Sequence, residues 1–142
     1  IQALDLLGRK VTMQGGAGLA LLAATVGETV ERARKEHDGY ASALAAAVER
    51  VVEVTQVLWG TGDPALALAN ASVYLEAVGH VVVAWMWLEQ LLAADGKEGD
   101  FYDGKRAAAE YFFTWELPRT GPQLDLLASL NRTTLDMKDQ WF

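Results

Sequence analysis

The fold is decided by residues 77–88, which read AVGHVVVAWMWL. In a helix these 12 residues are apolar on every side except at His80, and a glutamate closes the run at each end. A membrane span needs about 20 apolar residues, so this run is too short to cross a bilayer. A helix that is apolar all round is typical of the centre of a bundle. We therefore predict a central core helix and no membrane span, with Val82 and Trp85 almost free of solvent contact.

Helix-breaking and helix-capping residues divide the rest of the chain into further helices. Gly and Pro interrupt the helical periodicity of the apolar residues, and Asp38, Asp63 and Asp100 stand where N-cap residues are expected. The predicted breaks lie near residues 15–16, 60–63, 96–99 and 118–121. The predicted helices cover residues 2–13, 17–35, 39–59, 64–95, 101–117 and 120–130. The sequence thus predicts an all-α bundle of five to six helices around the central apolar helix. An irregular tail follows, in which Trp141 and Phe142 are able to dock on the bundle.

The charge and composition exclude several classes of function. The chain of 142 residues has a net charge of −7 and a pI near 4.7. Nucleic acids and anionic membrane surfaces attract clustered Lys and Arg, whereas here acidic and basic residues are mixed. The absence of cysteine excludes disulfides, a thiolate nucleophile and a thiolate metal site. The first residues do not form a basic-then-apolar signal segment, so we expect a cytoplasmic protein.

Few residues suggest chemistry. Glu76 and His80 are four residues apart, a spacing that places them on one helix face and suits a metal pair. No further ligands accompany them, so we interpret His80 either as a hydrogen-bonded buried residue or as a residue that lines a helix contact, and we predict no metal site. No serine has a nearby base in the sequence, and no catalytic residue is assigned. The GGAG at residues 15–18 lacks the strand and the spacing of a dinucleotide-binding loop, which favours a simple break between two helices.

Three segments resemble parts of flavin-dependent acyl-CoA dehydrogenases. Ile1 and Gln2 match the end of the Tyr-Glu-Gly-Thr-x-x-Ile-Gln type motif that carries the catalytic glutamate of that family. The runs ALANASVYLEAVGHVVVAW (67–85) and FYDGKRAAAEYFFTWELP (101–118) are similar to the C-terminal helical extension of a longer-subunit branch, the 3-methylmercaptopropionyl-CoA dehydrogenase-like enzymes. In the second run the matching residues are Phe101, Tyr102, Lys105, Ala109, Leu117 and Pro118.

The resemblance implies two regions and a flavin enzyme. Residues 1–36 would be the last helices of the catalytic C-terminal domain, and residues 37–142 would be the helical extension with its irregular tail. In that family a glutamate removes the α-proton of an acyl-CoA thioester while FAD accepts a hydride from the β-carbon. We expect both groups to lie upstream of Ile1, because the Glu-Gly-Thr part and the barrel strands are missing here and a helical pattern without an initiator Met runs from the first residue.

The resemblance also implies what this chain would bind. Gln2 would lie close to the flavin-side loop and is the one candidate cofactor-binding residue. The chain alone would hold no FAD and oxidise no acyl-CoA. Its partners would be the upstream part of the same enzyme, acyl-CoA in the complete enzyme, and further copies in a homo-oligomer.

Two other functions stay open at this stage. The chain could be an independent helical protein-interaction module that uses the apolar helix or the Trp141–Phe142 tail. It could also be a bundle that encloses an apolar ligand between its helices. A Tyr-Glu-Gly-Thr motif directly upstream of Ile1 would favour the enzyme over both alternatives.

Overall fold

A computed structural model describes all residues from Ile1 to Phe142, and it contains helices and no β-strand. The α-helices are α1 (Gln2–Asp5), α2 (Ala17–Gly60), α3 (Pro64–Leu68), α4 (Ala71–Ala94), α5 (Asp100–Tyr111) and α6 (Thr120–Ala128). A π-helical turn (Leu6–Lys10) extends α1, and π and 3-10 turns (Phe112–Glu116 and Leu117–Arg119) join α5 to α6. Short 3-10 turns also cover Met13–Gly16 and Asp139–Trp141. The all-α helical bundle predicted from the sequence is confirmed.

Helix α2 is a bent helix of 44 residues. Its backbone leaves the helical region only at His37, with φ −133° and ψ 37°. Residues at increasing distances from His37 on both sides line one cleft, so the two parts of α2 run antiparallel as a hairpin. We call residues 17–36 the N-arm and residues 38–60 the C-arm.

Helix α4 lies at the centre and packs against α1, α2, α5 and α6. The side of α4 that faces these helices carries residues at spacings of three and four, which is the repeat of one helix face. Its buried residues are Ala71, Tyr74, Ala77, Val78, Val81, Ala84, Leu88, Leu91 and Ala94. All of them except Ala94 belong to a single apolar core that also takes in residues of α1, α2, α3, α5 and α6.

The expectation that Val82 and Trp85 are almost free of solvent contact is wrong. Both are half-buried, because the core stripe of α4 is narrower than its apolar composition suggests. On the opposite side, Val83 and Met86 keep 42% and 40% of their surface exposed. Helix α4 is therefore central without being surrounded.

Helix α4 is also long and apolar enough, by length and composition, to cross a membrane. Of its most apolar 18-residue window, 39% is buried inside the bundle. The core helix of a globular protein meets the same two criteria.

Several predicted helix boundaries are wrong. The boundary predicted between residues 35 and 39 does fall at the bend at His37, but Asp38 is not a cap, since its carboxylate accepts from the Arg34 guanidinium and from no backbone N–H. The predicted helix 64–95 breaks at Asn70, whose side-chain amide donates to the Asn131 carbonyl at 2.8 Å. Pro118 does not end the fifth helix, since it occupies the first turn of a 3-10 segment that leads directly into α6.

Of the two other predicted caps one is confirmed and one is wrong, and the predicted docking of the tail is also wrong. Asp63 does cap α3, where its carboxylate accepts the backbone N–H groups of Ala65 and Leu66 at 2.9 and 3.2 Å. Asp100 lies in the first turn of α5 and makes no capping hydrogen bond. The docking of Trp141 and Phe142 is wrong, since they remain 60% and 92% exposed.

The boundary expected between residues 36 and 37 falls at the bend of α2. The two arms that meet there share one apolar core. The assignment of residues 1–36 and 37–142 to two parts of an enzyme stays a prediction.

Candidate functional site

The largest concave surface is a cleft between the two arms of α2, which we call the hairpin cleft. It consists of two adjoining volumes of about 580 and 720 Å³ that share Ala23, Val52 and Gln56. The first lies towards the bend, between Arg34 and Ala45, and the second reaches Gly16 and Trp59 at the open end. Volumes of this size are within the range of ligand-binding clefts.

The bottom of the hairpin cleft is apolar. Val26 and Val30 of the N-arm are buried there, and Val48 and Val52 of the C-arm are half-buried. Between this floor and α4 lies an apolar gap of about 20 Å³, which is too small to hold more than one water. Val78, Val81 and Val82 line this gap from α4.

The N-arm side of the cleft is built from small residues. Ala20, Ala23 and Gly27 line it in succession along the helix. A Cβ atom placed on Gly27 would meet no atom within 4 Å, so the space above this wall is empty. Small residues on a helix surface allow a second backbone to approach closely.

The rim of the cleft is acidic on the C-arm. Glu49 and Glu53 line this wall and are exposed, and Glu31 lies on the opposite wall. Glu49 makes no ion pair within the chain, whereas Arg50 bonds both Glu53 and Asp125 at 2.8 Å. These two carboxylates raise the pKa of Arg50, the hydrogen bond with Glu53 contributing most.

Arg34 is the one basic residue in the cleft lining. Its guanidinium donates to Glu31 at 3.1 Å and to Asp38 at 3.4 Å, and these contacts raise its pKa. Its charge is thus neutralised by its own neighbours. The cleft therefore presents an apolar floor below a rim with net negative charge.

A polar cluster holds the N-arm against α4. The buried hydroxyl of Thr29 donates to Glu89 at 2.5 Å and accepts the indole N–H of Trp85 at 2.8 Å. Arg32 also bonds Glu89, so the carboxylate is paired with a cation. The cluster satisfies polar groups that would otherwise be costly at a helix interface.

A second polar contact fixes the bend. The His37 imidazole lies 2.8 Å from the carboxylate of Asp95, which is the residue that ends α4. The hairpin is thus attached to α4 at both the Thr29 cluster and the bend. These two contacts join the N-arm and the bend to the central helix.

Glu76 and His80, the candidate metal pair of the sequence, do not form a metal site. His80 Nδ1 bonds the backbone carbonyl of Glu76 at 2.9 Å, and the Glu76 side chain takes no part in this contact. The ring stacks on Phe112 with centroids 6.1 Å apart, and its Nε2 lies 3.6 Å from Glu116. No group of three or more His, Asp or Glu side chains is placed to hold a metal ion. His80 therefore lines a helix contact, the second of the two predicted alternatives, and it is half-buried rather than buried.

Gln2 and the glycine run lie near the beginning of the chain. Gln2 is exposed on α1, and its assignment to the flavin-side loop stays a prediction. Gly15 and Gly16 have φ of 67° and 91°, and they turn the chain into α2 as a break between helices. Gly18 allows a close approach, since a Cβ there would lie 3.2 Å from the Lys10 carbonyl oxygen.

Sequence reasoning missed the hairpin cleft and the Thr29 cluster. The sequence predicts the helix boundary at residues 36–38, but not that the chain reverses at His37 so that the two arms face each other across a cleft. The cluster joins residues about 60 positions apart, and no local pattern connects them. The one available signal was Glu89, a carboxylate next to the most apolar run of the chain.

The fold and the cleft define an all-α helical domain with an apolar, acid-rimmed groove and no assembled catalytic cluster. A protein-family model described as "Acetyl-CoA dehydrogenase C-terminal like" matches residues 22–138. This match spans most of the chain, which therefore belongs to that family. No match was found among curated proteins.

Proposed function

We propose that this chain is the C-terminal helical part of an FAD-dependent acyl-CoA dehydrogenase. The observation that carries the proposal is the family match over residues 22–138. The reaction is the α,β-dehydrogenation of an acyl-CoA thioester. The similarity of residues 67–85 and 101–118 to the longer-subunit, 3-methylmercaptopropionyl-CoA dehydrogenase-like branch supports an enzyme of that type.

The acidic part of the hairpin cleft does not suit FAD. The cofactor carries an anionic diphosphate, which needs unpaired cations or backbone N–H donors. The hairpin cleft offers Glu31, Glu49 and Glu53, and its one cation, Arg34, is already paired. We place the catalytic glutamate and the FAD site mostly in the upstream part of the enzyme, and we assign no step of the reaction to the present residues.

The role of this chain is to brace the catalytic part. An open apolar cleft leaves side chains such as Val48 and Val52 incompletely covered, and covering them releases about 25 cal/mol for each Å² of apolar surface. A domain whose hairpin is joined to the central helix by the Thr29 cluster and the His37–Asp95 contact suits this purpose. We place Gln2 beside the flavin-side loop, and we expect the complete enzyme to be a cytoplasmic homo-oligomer.

The experiment uses the whole natural protein that contains this chain. It is purified and mixed with saturated acyl-CoA thioesters of several chain lengths and an artificial electron acceptor. We expect acceptor reduction that depends on the thioester, together with formation of the α,β-unsaturated product. A protein that reduces no acceptor with any acyl-CoA would contradict the proposal and would favour an interaction module.

A further inference from the structure

We propose that the hairpin cleft binds one amphipathic helix with Lys or Arg along its edge, supplied by the upstream part of the same enzyme. This inference rests on the proposed function and names the kind of segment that packs into the cleft. It is argued from the shape, the apolar floor and the charge of the cleft.

The dimensions suit a helix. The cleft follows the N-arm from Gly16 to Arg34, and a helix of about 18 residues covers this distance of about 27 Å at 1.5 Å per residue. Ala20, Ala23 and Gly27 allow the incoming backbone to approach closely. Helices that enter such grooves place one apolar face on the floor.

The charge of the rim determines which charged residues we expect along the edge of the incoming helix. The arginines near the acidic rim are already engaged, Arg32 by Glu89, Arg34 by Glu31, and Arg50 by Glu53 and Asp125. Glu49 has no cation of its own within the chain. A helix with Lys or Arg beside Glu49 and Glu53 would complete this rim, whereas an acidic edge would be repelled.

The rim also argues against a second copy of this chain as the occupant. The chain carries a net charge of −7. If two copies faced each other through their hairpin clefts, Glu49 and Glu53 of one copy would lie opposite Glu49 and Glu53 of the other. Like charges placed across an interface disfavour association. The charge complementarity thus selects a basic partner.

The test measures binding of two designed peptides to this chain by calorimetry. Both are helical 18-residue peptides with the same Leu and Ala face, and one has Lys at its edges where the other has Glu. We expect the Lys peptide to bind about tenfold more tightly at low salt, because two rim pairs change from attractive to repulsive. The difference should shrink as salt is added.

Three variants make the result specific to the cleft. Glu49→Lys with Glu53→Lys changes exposed residues only and should reverse the preference between the peptides. Gly27→Trp fills the cleft from a position with free space and should abolish binding. Gly79→Trp introduces the same residue on α4, where a Cβ also meets no atom within 4 Å, and should leave binding unchanged.

The whole natural protein then tests the source of the helix. We expect the Lys peptide to bind the whole protein at least about tenfold more weakly than this chain, because its own helix occupies the cleft. Equal affinity of the two peptides, an unchanged preference after charge reversal, or undiminished binding to the whole protein would each overturn the inference. None of these results depends on acyl-CoA oxidation, so the inference and the proposed function can fail separately.

Discussion

Tyr74 is the largest side chain that is completely buried. Its hydroxyl lies 2.6 Å from the Oγ1 of Thr55, whose own proton is donated to the Val51 carbonyl at 2.7 Å. Tyr74 is therefore the donor to Thr55. Burial raises the pKa of Tyr74.

Replacing Tyr74 by Phe tests this contact. We expect Tyr74→Phe to lower the free energy of unfolding at neutral pH by about 0.5–1.5 kcal/mol, the net value of one hydrogen bond. The raised pKa means that the unfolded chain loses this proton first as the pH rises, so the stability of the natural chain falls above about pH 10. Urea unfolding should show a smaller alkaline loss in the variant, and the exposed-site control Tyr111→Phe should not change this loss. An equal alkaline loss in Tyr74→Phe would show that Tyr74 ionises freely in the fold.

Thr29 is the residue on which the attachment of the N-arm depends. Its buried hydroxyl joins the Trp85 indole to the Glu89 carboxylate. A valine of similar shape would leave the indole N–H without its acceptor and Glu89 with Arg32 alone. Buried polar groups that lose their partner carry the full cost of desolvation.

We expect Thr29→Val to destabilise the chain by about 1–3 kcal/mol. The measurement is the melting temperature by circular dichroism, with Trp fluorescence reporting the environment of Trp85. Thr25→Val is the matched control, since the Thr25 hydroxyl bonds only the Leu21 carbonyl of its own helix. Equal melting temperatures for the two variants would mean that the cluster adds nothing to stability.

At the scale of the element, α4 determines how closely the bundle can pack. Small residues stand at its tightest contacts, and Ala77 and Ala84 are completely buried. Protein interiors are close-packed, so an enlarged side chain at such a position forces its neighbours to move. The same helix exposes Ala93 to solvent.

We expect Ala84→Leu to cost about 1–3 kcal/mol, the range for overpacking a well-filled core. Ala93→Leu makes the same change on the exposed side of α4 and should alter the free energy of unfolding by no more than about 0.5 kcal/mol. Chemical denaturation of both variants provides the comparison. An unchanged free energy of unfolding in Ala84→Leu would mean that there is empty space beside Ala84, in contradiction to the structure.

The elements differ in how far the sequence predicts them. The start of α3 could be predicted, because Asp63 and Pro64 are local signals for a helix N-terminus. The central place of α4 follows from its composition, yet the half-buried state of Val82 and Trp85 does not. Which side of an apolar helix faces the core depends on its neighbours, and their positions follow from the bend at His37.

The candidate site could be predicted even less. Its walls belong to two arms that the sequence presented as separate helices, and its charge depends on which arginines turn to other partners. Arg32 turns to Glu89 and Arg50 to Asp125, over separations of 57 and 75 residues. Such contacts are set by the tertiary fold and leave no periodic pattern in the sequence.

At the scale of the whole molecule, the hairpin cleft is the face that we expect to pack against the catalytic part of the enzyme. Filling it with Gly27→Trp should lower the melting temperature of the whole natural protein, because the covered apolar surface is lost. The same substitution should leave this isolated chain almost unchanged, since Gly27 has free space around it. Gly79→Trp controls for the added indole. A drop of equal size in the isolated chain would assign the effect to the local fold rather than to a brace.

The central claim is that this chain completes a flavin enzyme whose cofactor site lies outside it. The most direct measurement is the visible absorbance spectrum of two purified proteins, residues 1–142 and the whole natural protein, before and after addition of an acyl-CoA. We predict a colourless chain and a yellow whole protein whose flavin band bleaches when the thioester is added, because hydride transfer needs a fixed flavin and a positioned base. Flavin bound to residues 1–142 alone, or a whole protein without flavin, would contradict the account.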